Sequence, residues 1–120
     1  MNTADIADIF AAFGPVRCRR MFGGLGLYAD GVMFAIAVDD AIYLKTDADF
    51  AARLQSAGSC IFGYERQGRP VTLGFWSLPE AALDDADLAA ELAARAAMIA
   101  QTAALRRPAR RRTPTDAPEE

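Results

Sequence analysis

The sequence predicts an α+β domain: an antiparallel five-stranded sheet with flanking helices, in the order α-β(3)-α-β(2)-α. Three observations predict it. Apolar residues recur with a helical period near the start of the chain and again after residue 85. Between those segments lie short runs rich in Val, Ile, Leu, Phe and Tyr, punctuated by Gly and Asp turn signals. After residue 105 the apolar pattern ends, so a single core within residues 1–105 carries the fold.

The first helix spans residues 3–13. Ile6, Ile9, Phe10 and Phe13 fall on one face of a 3.6-residue period. Asn2 or Thr3 caps it, and Gly14-Pro15 stops it. Strand runs follow over residues 16–45. The glycines at 23 and 24 suggest a bulge or bend within the first run. Asp30-Gly31 is a type I′ hairpin signal. Residues 32–38 are nearly all apolar, which marks a central strand. Asp39-Asp40 turns the chain into a third strand, residues 41–45.

Thr46 or Asp47 caps a second helix, whose face is Phe50, Leu54 and Ala57 and whose end is Gly58. Residues 60–76 form a second hairpin turning at Gln67-Gly68. Pro70 lacks a donor N–H and belongs at a strand start or an edge. The sequence from Ser77 to Glu80 has the S-x-x-E form of a capping box. Asp84-Asp85 offers a cap for a long helix reaching about Leu105. Leu88, Leu92, Ala96 and Ile99 form its stripe, and Glu91 and Arg95 form an i,i+4 ion pair. Residues 106–120 hold three prolines and no large apolar residue, which reads as a disordered tail.

Composition limits the function. The chain has 120 residues, no histidine and two cysteines. Without histidine there is no imidazole base, Ser-His triad or His-ligated metal. No cofactor is expected. No stretch approaches about 18 consecutive apolar residues, so no membrane contact is expected. The acidic amino terminus lacks a basic leader segment, and the chain reads as cytoplasmic. Cys18 and Cys60 then read as reduced, with a disulfide or redox pair as the alternative. Residues 1–105 carry a net charge of -5 and residues 106–120 a net of +2. An acidic body argues against broad phosphate binding by the folded part.

The carboxylates cluster at turns and caps, where local structure accounts for them. The glycines at 23, 24 and 26 lack a following helix to make a phosphate cradle. Arg17, Arg19 and Arg20 lie in the first strand. Arg17 and Arg19 share one pleat face, and Arg20 shares the parity of Val16 and Cys18, which would bury it partly against a carboxylate. Such a strand is either a cationic contact patch or an edge guarded by charge. Lys45 is a strand-end cation and Trp76 either an interface anchor or a cap on the core. Arg106, Arg107, Arg110, Arg111 and Arg112 are the nucleic-acid candidates.

Residues 19–47 and 57–85 resemble the amino-terminal domain of the TfoX/Sxy family of bacterial competence regulators. The Arg-Met-Phe-Gly-Gly opening at residue 20, the Tyr-Leu-Lys strand at 43 and the Trp-x-Leu-Pro-Glu segment at 76 carry the resemblance. It implies a fold similar to the type III secretion chaperone class. It implies transcriptional control exerted with a cyclic-AMP receptor protein, by regulators that also carry a second helical domain. It supplies no catalytic residues. Arg20, Met21, Phe22, Gly23, Gly24, Lys45 and Trp76 match the family and are candidates for structure or partner contact. The expected function is therefore a non-catalytic adaptor that binds another protein, with a homodimer as one arrangement. That reading predicts an apolar patch rimmed by Arg17, Arg19, Arg20 and Lys45. The alternatives are a DNA-contacting regulator using the arginine tail, and a ligand-binding module with a pocket lined by Phe22, Tyr43 and Trp76.

Overall fold

The computed structural model describes residues 2–21, 23–66 and 69–106. The elements are α1 (Thr3–Ile9), β1 (Arg17–Met21), β2 (Gly24–Ala29), β3 (Val32–Val38), β4 (Ala41–Lys45), α2 (Ala48–Ser56), β5 (Ile61–Arg66), β6 (Arg69–Ser77), α3 (Glu80–Leu83) and α4 (Ala86–Arg106). One antiparallel sheet has the order β1-β2-β3-β4-β6-β5. It has six strands, where the sequence predicts five. The sixth arises at the glycines. Gly23 has φ +78°, and Met21 and Gly24 are register partners, so the chain reverses there into a hairpin instead of bending one strand. Gly24 is required by close approach: a β-carbon there would collide with the Ala37 carbonyl oxygen on β3. The bulge lies elsewhere, where Leu27 pairs with Ala35 but Tyr28 pairs with Met33, leaving Phe34 as the extra residue.

The other turns follow the sequence. Asp30 (φ 52°) and Gly31 (φ 81°) join β2 to β3, and both have the positive φ of a type I′ turn. Asp39 and Asp40 join β3 to β4 and also both have positive φ. Pro70 sits near the start of β6. There β6 has β5 on one side only, because β4 pairs with residues 75–77 alone. A missing N–H therefore breaks no ladder on the β4 side.

Helix ends are held by side chains. Asn2 and Asp5 form a reciprocal capping box on α1. The helix itself closes at Ile9, and residues 10–13 continue as tighter turns through the Phe13 N–H to Phe10 carbonyl bond. Asp47 caps α2 by accepting from the Phe50 N–H at 2.8 Å. At the other end, Ser59 N–H donates to Leu54 and Gly58 N–H to Gln55, the paired bonds of a Schellman motif. Asp85 caps α4 by accepting from Leu88 N–H at 3.0 Å. The expected capping box at Ser77 does not form. Pro79 is the N-cap of α3, and Ser77 still belongs to β6, where its Oγ accepts from Cys60 N–H at 2.9 Å.

All four helices pack into one cluster on one face of the sheet. The strands contribute Leu27, Phe34, Ala35, Ala37, Ile42 and Leu44. The helices contribute Ile6, Phe10, Phe50, Leu54, Ala82 and the α4 stripe of Ala89, Leu92, Ala93, Ala96 and Ala100. Small side chains let α4 lie close against β3 and β4. Phe34 meets Phe10 edge-on, with ring centroids 5.9 Å apart. The Glu91 carboxylate, expected to pair with Arg95 along the helix, instead accepts from Arg53 on α2 at 2.8 Å. Arg95 turns toward Asp47 (3.9 Å) and the Phe50 ring (5.3 Å). By length and composition α4 would suffice to cross a membrane, yet its alanine stripe is buried against the sheet.

Candidate functional site

Because side chains alternate along a strand, the residues left out of the helix-side cluster define the other sheet face. On β1 these are Arg17, Arg19 and Met21. Their register partners on β2 are Tyr28, Gly26 and Gly24. The row continues through Met33, Ile36 and Val38 on β3 and Tyr43 on β4 to Phe75 on β6. Ile36 and Phe75 are 7% and 6% exposed yet stand outside the helix-side cluster. They are buried by their neighbours on this second face.

Its centre is built on a glycine. A β-carbon on Gly26 would lie 3.0 Å from the Met33 sulphur, 3.1 Å from the Met21 sulphur and 3.1 Å from the Tyr28 ring. Two thioethers and an aromatic ring thus converge where the sheet has no side chain of its own. Tyr43 and Phe62 extend the apolar surface, with ring centroids 4.9 Å apart. Lys45 closes one side, its Nζ 5.4 Å from the Phe75 ring centroid. Arg17 and Arg19 close the other. Methionines and aromatics ringed by cations suit a protein contact, since such side chains give large adaptable area at low conformational cost.

The structure thus brings Arg17, Arg19 and Lys45 to one face and separates the other candidates from it. Arg20 is exposed, not partly buried as its parity suggested. At the sheet edge it has, among the described residues, no strand beyond it to cover it, and it lines a cleft with Cys18, Met21, Asn2 and Thr3. Trp76 faces the helices, pairs with Leu44 and Ile61, and packs on the core. Tyr43 and Trp76 lie on opposite faces, because adjacent strands place Tyr43 opposite Ser77 and Leu44 opposite Trp76. Tyr43 and Trp76 therefore do not line one pocket together, as the ligand-binding alternative required. Phe22, Arg107, Arg110, Arg111 and Arg112 lie outside the described residues, as does the tail reading for residues 107–120. Arg106 ends α4.

Cys18 lies on β1, at one edge of the sheet, and Cys60 precedes β5, at the other. Five inter-strand steps of about 4.8 Å separate those edges by roughly 24 Å, too far for a disulfide within one chain. Both cysteines are free. Burial pushes the Cys18 thiol above its ordinary pKa.

Tyr28, Met33 and Ile36 were not singled out in the sequence as site residues. For Met33 and Ile36 the signal was the apolar character of β3 at both pleat parities. One parity supplies the helix-side core, so the other must make a second apolar face.

Comparison with known proteins agrees with the resemblance. The TfoX N-terminal domain profile matches residues 8–100. A curated protein, "DNA transformation protein TfoX1" of Aliivibrio fischeri (strain ATCC 700601 / ES114), is 27% identical over 67 residues. The match covers 56% of this chain and 32% of that protein, so the chain spans about a third of its relative's length.

Proposed function

Because the chain belongs to the TfoX N-terminal domain family, we propose that it is a non-catalytic regulatory domain that binds another protein. The contact surface is the sheet face bearing Met33, Ile36 and Tyr43. One observation carries the reading: apolar side chains on β2, β3 and β4, with Phe75 on β6, cross this face between the β1 arginines and Lys45, while all four helices pack on the opposite side. Its rim of Arg17, Arg19 and Lys45 favours a partner with an apolar centre and an acidic border. A second copy would bring the same cations together, so a different protein fits better than a homodimer. Similarity to a DNA transformation protein supports DNA transformation as the regulated process, and the reading takes the domain to act in the cytoplasm.

The test substitutes Met33→Glu and Tyr43→Glu on this face, and Ala94→Glu on exposed α4 as a control. Transformation frequency is measured in the native host, and thermal melts confirm folding. The reading expects loss with the first two variants and no change with the third. Duplex-DNA titration of the purified full chain separates the nucleic-acid alternative, which requires steeply salt-dependent binding.

A further inference from the structure

We propose that β1 is a strand-adding site, which takes an extended acidic segment of a partner protein as a seventh strand. The inference rests on the partner-binding reading but uses the backbone edge of β1, which shares Arg17, Arg19 and Met21 with the sheet face. Among the described residues β1 pairs with β2 alone, so its outer edge offers backbone N–H and C=O groups to a new strand. Three of its five residues, Arg17, Arg19 and Arg20, are exposed arginines, and the body that carries them is acidic overall. The opposite edge, β5, has one Glu and one Arg. Like charge deters pairing of two β1 edges, and the same arginines attract a strand of opposite charge.

A cleft of about 700 Å³ adjoins the strand, lined by Cys18, Arg20 and Met21 on β1, Gly24 and Leu25 on β2, and Asn2 and Thr3 at the start of α1. An added strand would place alternate side chains on the two faces. Carboxylates at every second position would then meet Arg17 and Arg19, and the residues between would face Arg20 and the cleft. Backbone bonding supplies affinity without a fixed sequence, and the arginines supply the charge preference.

The test uses the full chain and a labelled peptide of alternating Glu and Val. Two further versions are N-methylated, each on the alternate residues that point to one edge. Methylation keeps every charge and removes the N–H donors of that edge. The unmodified peptide should bind, more weakly as salt rises. One methylated version should bind at least about tenfold more weakly, a loss of about 1.4 kcal/mol. The Arg17→Glu, Arg20→Glu double variant should lose binding to a similar degree, and β1 amides should exchange more slowly in the complex. The proposal is overturned if the unmodified peptide does not bind, if both methylated versions bind as well as it does, or if protection appears away from β1. The sheet-face reading is tested separately through Met33 and Tyr43 and would survive that outcome.

Discussion

Met33 on β3 packs over Gly26 on β2, its sulphur 3.0 Å from where a glycine β-carbon would stand. The contact explains a glycine in the middle of a strand. It also gives the first prediction. Gly26→Val must shift the sulphur ends of Met21 and Met33 and the Tyr28 ring by a few tenths of an ångström, so its cost should stay below the roughly 1–3 kcal/mol of an overpacked core. Chemical denaturation of the variant checks this. A loss above about 3 kcal/mol would mean that these side chains cannot move aside.

The helix-side core depends on Phe34, the residue that the β2–β3 bulge adds. It is fully buried against Phe10 and Phe13. Phe34→Ala should destabilise the domain by about 3–5 kcal/mol, a large part of a small domain's total stability. A cost below about 1 kcal/mol would place that ring outside the core.

The Arg53–Glu91 pair joins α2 to α4 at 2.8 Å, but its side chains are 44% and 59% exposed. Solvent screening holds its value below about 1 kcal/mol. A double-mutant cycle with Arg53→Ala and Glu91→Ala should give a small coupling that fades with added salt. A coupling of several kcal/mol would contradict the exposed geometry.

The two thiols should differ in reactivity. Cys60 is exposed, whereas Cys18 is partly buried and its pKa is raised by desolvation. Near pH 8 a thiol reagent should label Cys60 first, and Cys60→Ser should leave only a slow phase. That slow phase should quicken as pH rises, because desolvation shifts formation of the Cys18 thiolate to higher pH. The same shift makes the folded chain hold its proton longer than the unfolded chain. Stability should therefore fall as pH climbs past the ordinary thiol pKa toward the raised one. Equal labelling rates would contradict the placement of Cys18.

Much of the fold was legible because local chemistry and tertiary packing agree. Asp47, Asp85 and Gly58 mark helix ends by capping rules, and Asp30-Gly31 marks a hairpin by its backbone demands. Ser77 misled because hydrogen bonding to Cys60 across the β5–β6 ladder outcompeted a cap three residues from Glu80. Glu91 misled because a cation from another helix reached it before Arg95 did. The extra strand was hidden in Gly23-Gly24, where a bend and a hairpin share one signature. The candidate site was legible only at its rim. Arg17, Arg19 and Lys45 stand out as charges in strands. Tyr28, Met33 and Ile36 look like ordinary core until the register assigns them to the face away from the helices.

The central claim is that this second sheet face docks another protein. The most direct measurement places a photo-crosslinking amino acid at Met33 in the full chain within its native host, with the same group at Ala94 on α4 as reference. The account predicts a discrete crosslinked protein from Met33, abolished by Tyr43→Glu, and none from Ala94. Absence of crosslinks from Met33, or equal crosslinking from both positions, would contradict it.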